Sequence, residues 1–327
     1  MTSQAEAAQN GGGGGGGSRR ARLREKLNSV SHPMIGGLPF SLDFNELSDE
    51  WKAYAAEELR ETPENVEEGL KILREKLAGE PDLVVPTTQE HLEKFLRPCK
   101  WYPDSAFELM KRFYKYRASH PKYCQDLTPT NERTVIMSGV LSPLPRINDD
   151  GVRVFLIEAG KKWKPKEVTL DQMFRGVIFY LEAAISEPRA QVCGVRVIVD
   201  MDGLSLSQVT HFTPSFAGAV AEFVQRCLPC RLKGIHIVNQ PIIFNMVFAF
   251  FKPFLHEKMR KRIVFHGTNW GSLKPFFDAA TLPKKYGGEL DFAEDPVLSE
   301  KFFSYVMNFE DEFLASSKNG YVKPQKS

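Results

Sequence analysis

Residues 233–267 read KGIHIVNQPIIFNMVFAFFKPFLHEKMRKRIVFHG, and this stretch decides the fold. A short apolar run, Ile235 to Val238, precedes a helix of unusual apolarity. A burst of positive charge and a second short run, Ile263-Val-Phe265, follow it. Within the helix Phe244, Val247, Phe248, Phe251 and Leu255 recur at spacings of three and four, so they share one face. Phe250 and Phe254 widen that face beyond a single packing stripe, and Lys258, Arg260, Lys261 and Arg262 come directly after it. A wide aromatic face beside a basic cluster suits contact with both a greasy ligand and a charged membrane surface. A buried core helix followed by a solvated basic turn would read the same way.

The same alternation extends upstream to about residue 128. Val152, Val154 and Leu156 alternate after the Asp150-Gly151 turn signal. Thr169-Leu-Asp-Gln172 opens a helix carrying Phe174, Val177, Ile178 and Leu181. Val195, Val197 and Val199 alternate again, and a further helix is expected near 214–227. Strands alternating with helices imply an α/β fold with a mainly parallel sheet. Residues 48–120 read instead as a small all-helical unit. Ser48 is placed to cap a helix through Leu59, and Thr62-Pro63 to start one with the stripe Val66, Leu70, Leu73 and Leu77, ended by Gly79. Thr87-Thr-Gln-Glu90 reads as a capping box before Leu92, Phe95 and Leu96. A last helix carries Ala106, Leu109, Met110, Phe113 and Tyr116 and stops before Pro121. The expected organisation is a disordered Gly-rich tail over 1–40, a helical domain over 41–122, the α/β domain over 128–290, and a C-terminal helix (near 297–315) with a loose tail over 291–327. The basic run 19–26 could touch an anionic surface, or be a solvated tail.

Composition narrows the function classes. With 43 basic and 41 acidic residues in 327, net charge is +2, which does not point to nucleic acid. Any anion recognition must be local. The chain has 24 Phe against nine Tyr and four Trp; aromatics without a polar handle fit dry interiors and apolar pockets. Five scattered cysteines (Cys99, Cys124, Cys193, Cys227, Cys230) and no expected secretory signal suggest a reducing, cytoplasmic compartment. Cys227-Leu-Pro-Cys230 closes a helix rather than opening one, so it reads as a turn and not a redox site. No second pair completes a zinc site. The run Gly11 to Gly17 is a flexible segment without the Lys-Ser/Thr of a phosphate loop. The longest apolar run, within 241–251, falls short of the roughly 20 residues that span a bilayer. Any membrane contact is therefore expected to be peripheral.

Six motifs, in order, carry a family resemblance: Phe95-Leu-Arg97 with Ala106 downstream, Asp200-Met-Asp-Gly203, Lys233-Gly-Ile-His-Ile-Val-Asn239-Gln-Pro241, Lys252-Pro-Phe-Leu255, Phe265-His-Gly267 and Leu282-Pro-Lys-Lys-Tyr-Gly-Gly288. Through them the chain resembles the CRAL-TRIO lipid-transfer family over roughly residues 48–290, close to its tocopherol-transfer and clavesin branches. The resemblance implies a CRAL-TRIO fold with a hydrophobic pocket between the sheet and a mobile gate helix, about residues 241–256. It implies a pocket lining of Phe174, Leu181, Phe223, Leu232 and Ile235, with Phe244, Val247, Phe248, Phe251 and Leu255 from the gate. It also implies a phosphoinositide cleft at Arg231, Lys233, Lys258 and Arg262, a peripheral membrane partner reached from the cytoplasm at endosomal or plasma membranes, and no cofactor. The chain departs from the family at Cys99, preceded by Pro98, where many members carry a second Arg; Lys100 is the nearest substitute. By the same resemblance, retinaldehyde-binding members use a pocket tyrosine and glutamate, and the matching positions here are Val177 and Val199. That difference argues for a mostly apolar ligand other than retinal.

Catalytic signatures are missing. There is no Gly-x-Ser-x-Gly elbow, and His256-Glu257 lacks the second histidine of His-Glu-x-x-His. Asp200 and Asp202 end a strand where an α/β enzyme could hold a metal or base, but no partner His or Lys is evident from spacing. His236 and His266 read as satisfied core histidines. The expectation is a non-enzymatic lipid carrier, or alternatively a phosphoinositide-sensing trafficking regulator, with no metal.

Overall fold

A computed structural model describes residues 18–292 and 297–322. The glycine run and the rest of the first 17 residues of the expected 1–40 tail lie outside them. The first elements are helix α1 (Arg19–Ser29) and the hairpin strands β1 (Met34–Ile35) and β2 (Leu38–Pro39). The helical unit holds α2 (Asp49–Leu59), α3 (Pro63–Ala78), strand β3 (Leu83–Val84), α4 (Gln89–Leu96), α5 (Pro103–Ser119) and α6 (Pro121–Cys124). Then come α7 (Arg133–Met137), β4 (Leu141–Pro143), β5 (Arg153–Glu158), α8 (Leu170–Ala184), α9 (Pro188–Cys193) and β6 (Val195–Asp200). They are followed by α10 (Leu206–Val209), α11 (Pro214–Glu222), a π-helical turn (Phe223–Cys227), β7 (Leu232–Val238), α12 (Phe244–Phe251), α13 (Glu257–Arg260) and β8 (Ile263–Gly267). The chain ends on α14 (Leu298–Met307), α15 (Glu310–Ser317) and β9 (Gly320–Tyr321).

The central sheet runs β4-β5-β6-β7-β8, antiparallel at its β4 edge and parallel elsewhere. Its strands are buried on both faces, and the period of two sorts their residues. Ile157, Val197, Val199, Ile235 and Ile237 face α8, α11 and α12 across a cavity. Val154, Leu156, Ile198 and Val238 face the other way, onto Leu273, Phe277, Leu282, Tyr286 and Leu290 of the 270–290 segment.

Four family motifs meet at the carboxyl end of this sheet. Asp200 accepts hydrogen bonds from the Tyr286 hydroxyl (2.7 Å), the Asn239 side-chain amide (2.9 Å) and the Asp202 N–H (2.9 Å). Asn239, at φ +53°, donates its own N–H to the Gly267 carbonyl, and Gln240 Oε1 accepts from the Gly267 N–H. Asp200 is thus fully engaged in a structural knot, which disposes of it as a free carboxylate.

Three local expectations are corrected. Ordered structure begins well before residue 40: α1 buries Leu23 and Leu27, and the Arg20 guanidinium reaches Glu93 at 2.5 Å. An 11-residue helix is marginal alone; docking onto α4 and the C-terminal helices stabilises it. Thr87 does not cap α4, whose N-cap is Thr88 with no side-chain bond, and Ser48 caps α2 without one. The Thr62 cap and the Thr169–Gln172 capping box do form. The C-terminal helix is two helices, and residues 320–322 after it are held: β9 pairs with β3, and Val322 donates to the Asp82 carbonyl; residues 323–327 of the expected tail lie outside the described residues.

Arg97 of the Phe-Leu-Arg motif is a buried junction. Its guanidinium bonds Glu61 (2.7 Å), Glu93 (3.2 Å) and Gln191 of α9 (2.6 Å), tying the helical unit to the α/β layer. Burial opposes the charge on Glu93, but Arg97 and Arg20 outweigh it and hold that carboxyl below its usual range.

Candidate lipid cavity and basic edge

Helix α12 lies over the sheet with α8 and α11 beside it, and together they enclose a cavity of about 240 Å³. A single water needs only about 10–15 Å³, so this is room for a chain or ring system. Phe174, Leu181, Leu232 and Ile235 line it, as do Phe244, Val247, Phe248, Phe251 and Leu255 from the gate segment. Val177 and Val199 are also in the wall. The 3.6-residue period had already gathered the gate residues on one face, and the i, i+4 rows of α8 and α11 supply the walls.

Phe223 is the exception. It is fully buried but lies outside the cavity wall, with its ring against Tyr116 and Phe174. The cause is the π-helical turn, closed by the Leu228 N–H to Phe223 carbonyl bond. Its extra residue per turn leaves Val220 and Val224 facing the cavity. The residues missed from sequence are mostly the floor, Ile157, Val197, Ile237 and Ile263, and the flexible Met173, Met201 and Met259. Strand alternation flagged Val197; which of the two buried faces held the cavity required the helices' placement.

The outer side of the gate is apolar as well. Ile242 is 89% exposed, Met246 52% and Phe254 41%. Among the described residues, no helix is long and apolar enough to cross a membrane.

Three of the four basic positions, Arg231, Lys233 and Arg262, lie at the amino ends of β7 and β8, and Lys258 is on the short helix α13 that leads into β8. Arg262 offers its carbonyl to the Ile235 N–H, which sets it beside the start of β7. Arg231 immediately precedes β7, and its guanidinium is engaged by Glu58 at 3.2 Å and by the Val192 carbonyl. Lys233 is half-buried; burial, then Arg231, lowers its pKa. Lys258 is exposed on α13. Helix α13 ends at Arg260, so Lys258 and Arg262 do not share a helical face; Arg262 sits on the exit turn, its N–H on the Met259 carbonyl. The neighbouring cations are engaged elsewhere, Lys261 with Glu257 at 2.7 Å and Arg260 with the Lys252 carbonyl at 3.1 Å. Cys99 is half-buried and its thiol is pushed up to about 11 by burial, so it offers no positive charge. Lys100 is exposed, at φ +53°.

Elsewhere, the thiols of Cys227 and Cys230 are both free and both pushed up to about 12 by burial, which leaves them protonated at neutral pH. His236 and His266 stack at 5.2 Å, with His236 Nδ1 3.0 Å from His266 Nε2 and His266 Nδ1 2.6 Å from Ser272 Oγ. His236 Nε2 has no partner, so this histidine is only half satisfied. Burial, then His266 and Arg196, pushes its pKa down to about 3. No group of His, Cys, Asp and Glu among the described residues could hold a metal ion.

This architecture, a mainly parallel sheet with an apolar cavity closed by one helix, defines the class of a lipid-binding α/β domain. The CRAL/TRIO domain family matches residues 137–288. Alpha-tocopherol transfer protein-like of Homo sapiens is 35% identical over 251 residues, covering 76% of this chain and 73% of its own. The Mus musculus protein of the same name is 36% identical over the same span. Clavesin-2 of Homo sapiens is 30% identical over 280 residues, 85% of each chain. The chain belongs to the CRAL-TRIO family of lipid-binding proteins.

Proposed function

We propose that the protein is a non-enzymatic carrier of one small hydrophobic lipid of tocopherol-like apolarity, which it gives up at phosphoinositide-bearing membranes. The observation that carries this reading is the cavity under α12: its wall is apolar throughout, aliphatic, aromatic and thioether, apart from Gln225, and a gate whose outer side exposes Ile242, Met246 and Phe254 closes it. Burying a ligand of that kind gains roughly 25 cal/mol per Å² of apolar surface. The cavity offers little to a head group that needs hydrogen bonds. The names of the tocopherol-transfer relatives agree with such a cargo.

Arg231, Lys233, Lys258 and Arg262 form the proposed head-group site. Each cation near an anionic surface contributes about 1 kcal/mol, so the attachment is reversible. The carrier would work from the cytoplasm and associate transiently with endosomal or plasma membranes, its outer gate face meeting lipid. A second reading, a phosphoinositide-sensing trafficking regulator, draws on the same four cations and on the likeness to clavesin-2.

Charge reversal tests the site. Lys258→Glu with Arg262→Glu should abolish the preference for vesicles containing phosphatidylinositol bisphosphate over vesicles of equal charge density in phosphatidylserine. Affinity for lipid in solution should be unchanged. Arg260→Glu with Lys261→Glu should do less, since those side chains are held by Lys252 and Glu257. Equal losses from both pairs would reduce the site to general electrostatics.

A further inference from the structure

One polar side chain stands in the cavity wall, Gln225, and its amide is already used. Nε2 donates to the Phe254 carbonyl at 3.0 Å and to the Ala221 carbonyl of its own helix at 2.9 Å. Oε1 accepts the His256 N–H at 2.7 Å. The two bonds to the gate segment flank Leu255, whose side chain lines the cavity. Gln225 therefore takes one carbonyl and one N–H of the gate's exit, as a neighbouring strand would.

The two ends of the gate are held differently. At the start, Asn239 and Gln240 are tied into the Asp200 and Gly267 knot, which belongs to the sheet. Along α12 itself, the described contacts to the body are ring packing: Phe251 on Phe212 and Phe216, and Phe244 and Phe248 on Phe265. At the exit, the Gln225 amide supplies directional bonds, and the Phe254 ring rests where a Cβ on Gly218 would come within 3.3 Å of it. Gln225 sits in the π-helical turn, a local irregularity of the kind often found at functional sites.

We propose that Gln225 is the catch of the gate, a positioning residue that holds Phe254–His256 down in the closed state. Its release lets the exit end of α12 lift while the 239–241 end stays on the sheet. Because the catch uses both N–H groups of the amide, the closed cavity presents a ligand with no free side-chain donor. A ligand oxygen that accepts from Gln225 must compete with the Phe254 carbonyl for Nε2, so analogues with such an acceptor hold the gate less firmly shut. The consequence for lipid release rests on the carrier reading; the catch itself does not.

The test compares Gln225→Leu, which removes both bonds at similar size, with Gln225→Glu. The carboxylate still accepts from His256 but faces the Phe254 carbonyl without a proton; when protonated it regains the donor. In unloaded protein, hydrogen–deuterium exchange over 250–260 should lose protection about tenfold in Gln225→Leu, as expected for one or two bonds, with other segments unchanged. Gln225→Glu should be deprotected at neutral pH and approach wild type, measured at the same pH, on acidification. Release of a preloaded fluorescent tocopherol analogue to acceptor vesicles should quicken by a similar factor, with the association rate in solution held. Unchanged protection in both variants would overturn the proposal, as would Glu deprotection that ignores pH. If the leucine variant is deprotected along the whole chain, the glutamate result decides. Wild-type protein that takes up no probe would overturn the carrier reading, and the exchange comparison would still decide the catch.

Discussion

Phe251→Asp is expected to abolish uptake of a fluorescent tocopherol analogue from solution while the chain remains folded. Phe251 lines the cavity from the gate, against Phe212 and Phe216. A carboxylate there must be buried beside hydrocarbon with no cationic partner in the wall, or else hold the gate away from the sheet. Burying an unpaired charge costs several kcal/mol even after relaxation, and each 1.4 kcal/mol is tenfold in affinity. The loss should therefore exceed about a hundredfold. Met246→Asp, on the exposed side of the same helix, is the control and should load as wild type in solution. Equal loading by folded Phe251→Asp would remove that residue from the ligand site.

Much of this arrangement is legible in the residues themselves. The gate's spacing of three and four puts Phe244, Val247, Phe248, Phe251 and Leu255 on one face, and that face does line the cavity. Strand alternation at 195–199 likewise sorts the sheet's two sides. What local pattern could not supply depends on tertiary contact. A single π-helical turn moves Phe223 out of the wall, and nothing in the local sequence marks it. Helix α1 and strand β9 are too short to be stable alone, and they exist because Arg20 finds Glu93 and β9 finds β3. Arg97 was legible as a motif member but not as a junction, because Gln191 lies 94 residues away.

Arg97→Leu should be among the most destabilising single substitutions in the chain. Removing the guanidinium leaves Glu61 and Gln191 Oε1 without their principal donor, and takes from Glu93 one of its two cationic partners, in a buried setting. Breaking such a network from one side costs about 3–5 kcal/mol. At about 2–4 °C per kcal/mol for domains of 150–250 residues, the melting temperature should fall by roughly 6–20 °C. Surface substitutions such as Lys52→Leu, whose ion pair is exposed, should change it little. A melting temperature within 2 °C of wild type for Arg97→Leu, by about that same conversion, would show that the junction contributes almost nothing.

The carrier reading makes one statement above all others: the space under α12 holds a single apolar lipid. Native mass spectrometry of the purified protein tests it most directly. After incubation with a mixed apolar lipid extract and gel filtration, the account predicts one bound species at a stoichiometry of one, released intact and chemically unchanged on denaturation, and absent from Phe251→Asp. Protein that emerges unliganded at every lipid concentration, or that returns its lipid chemically altered, would contradict it.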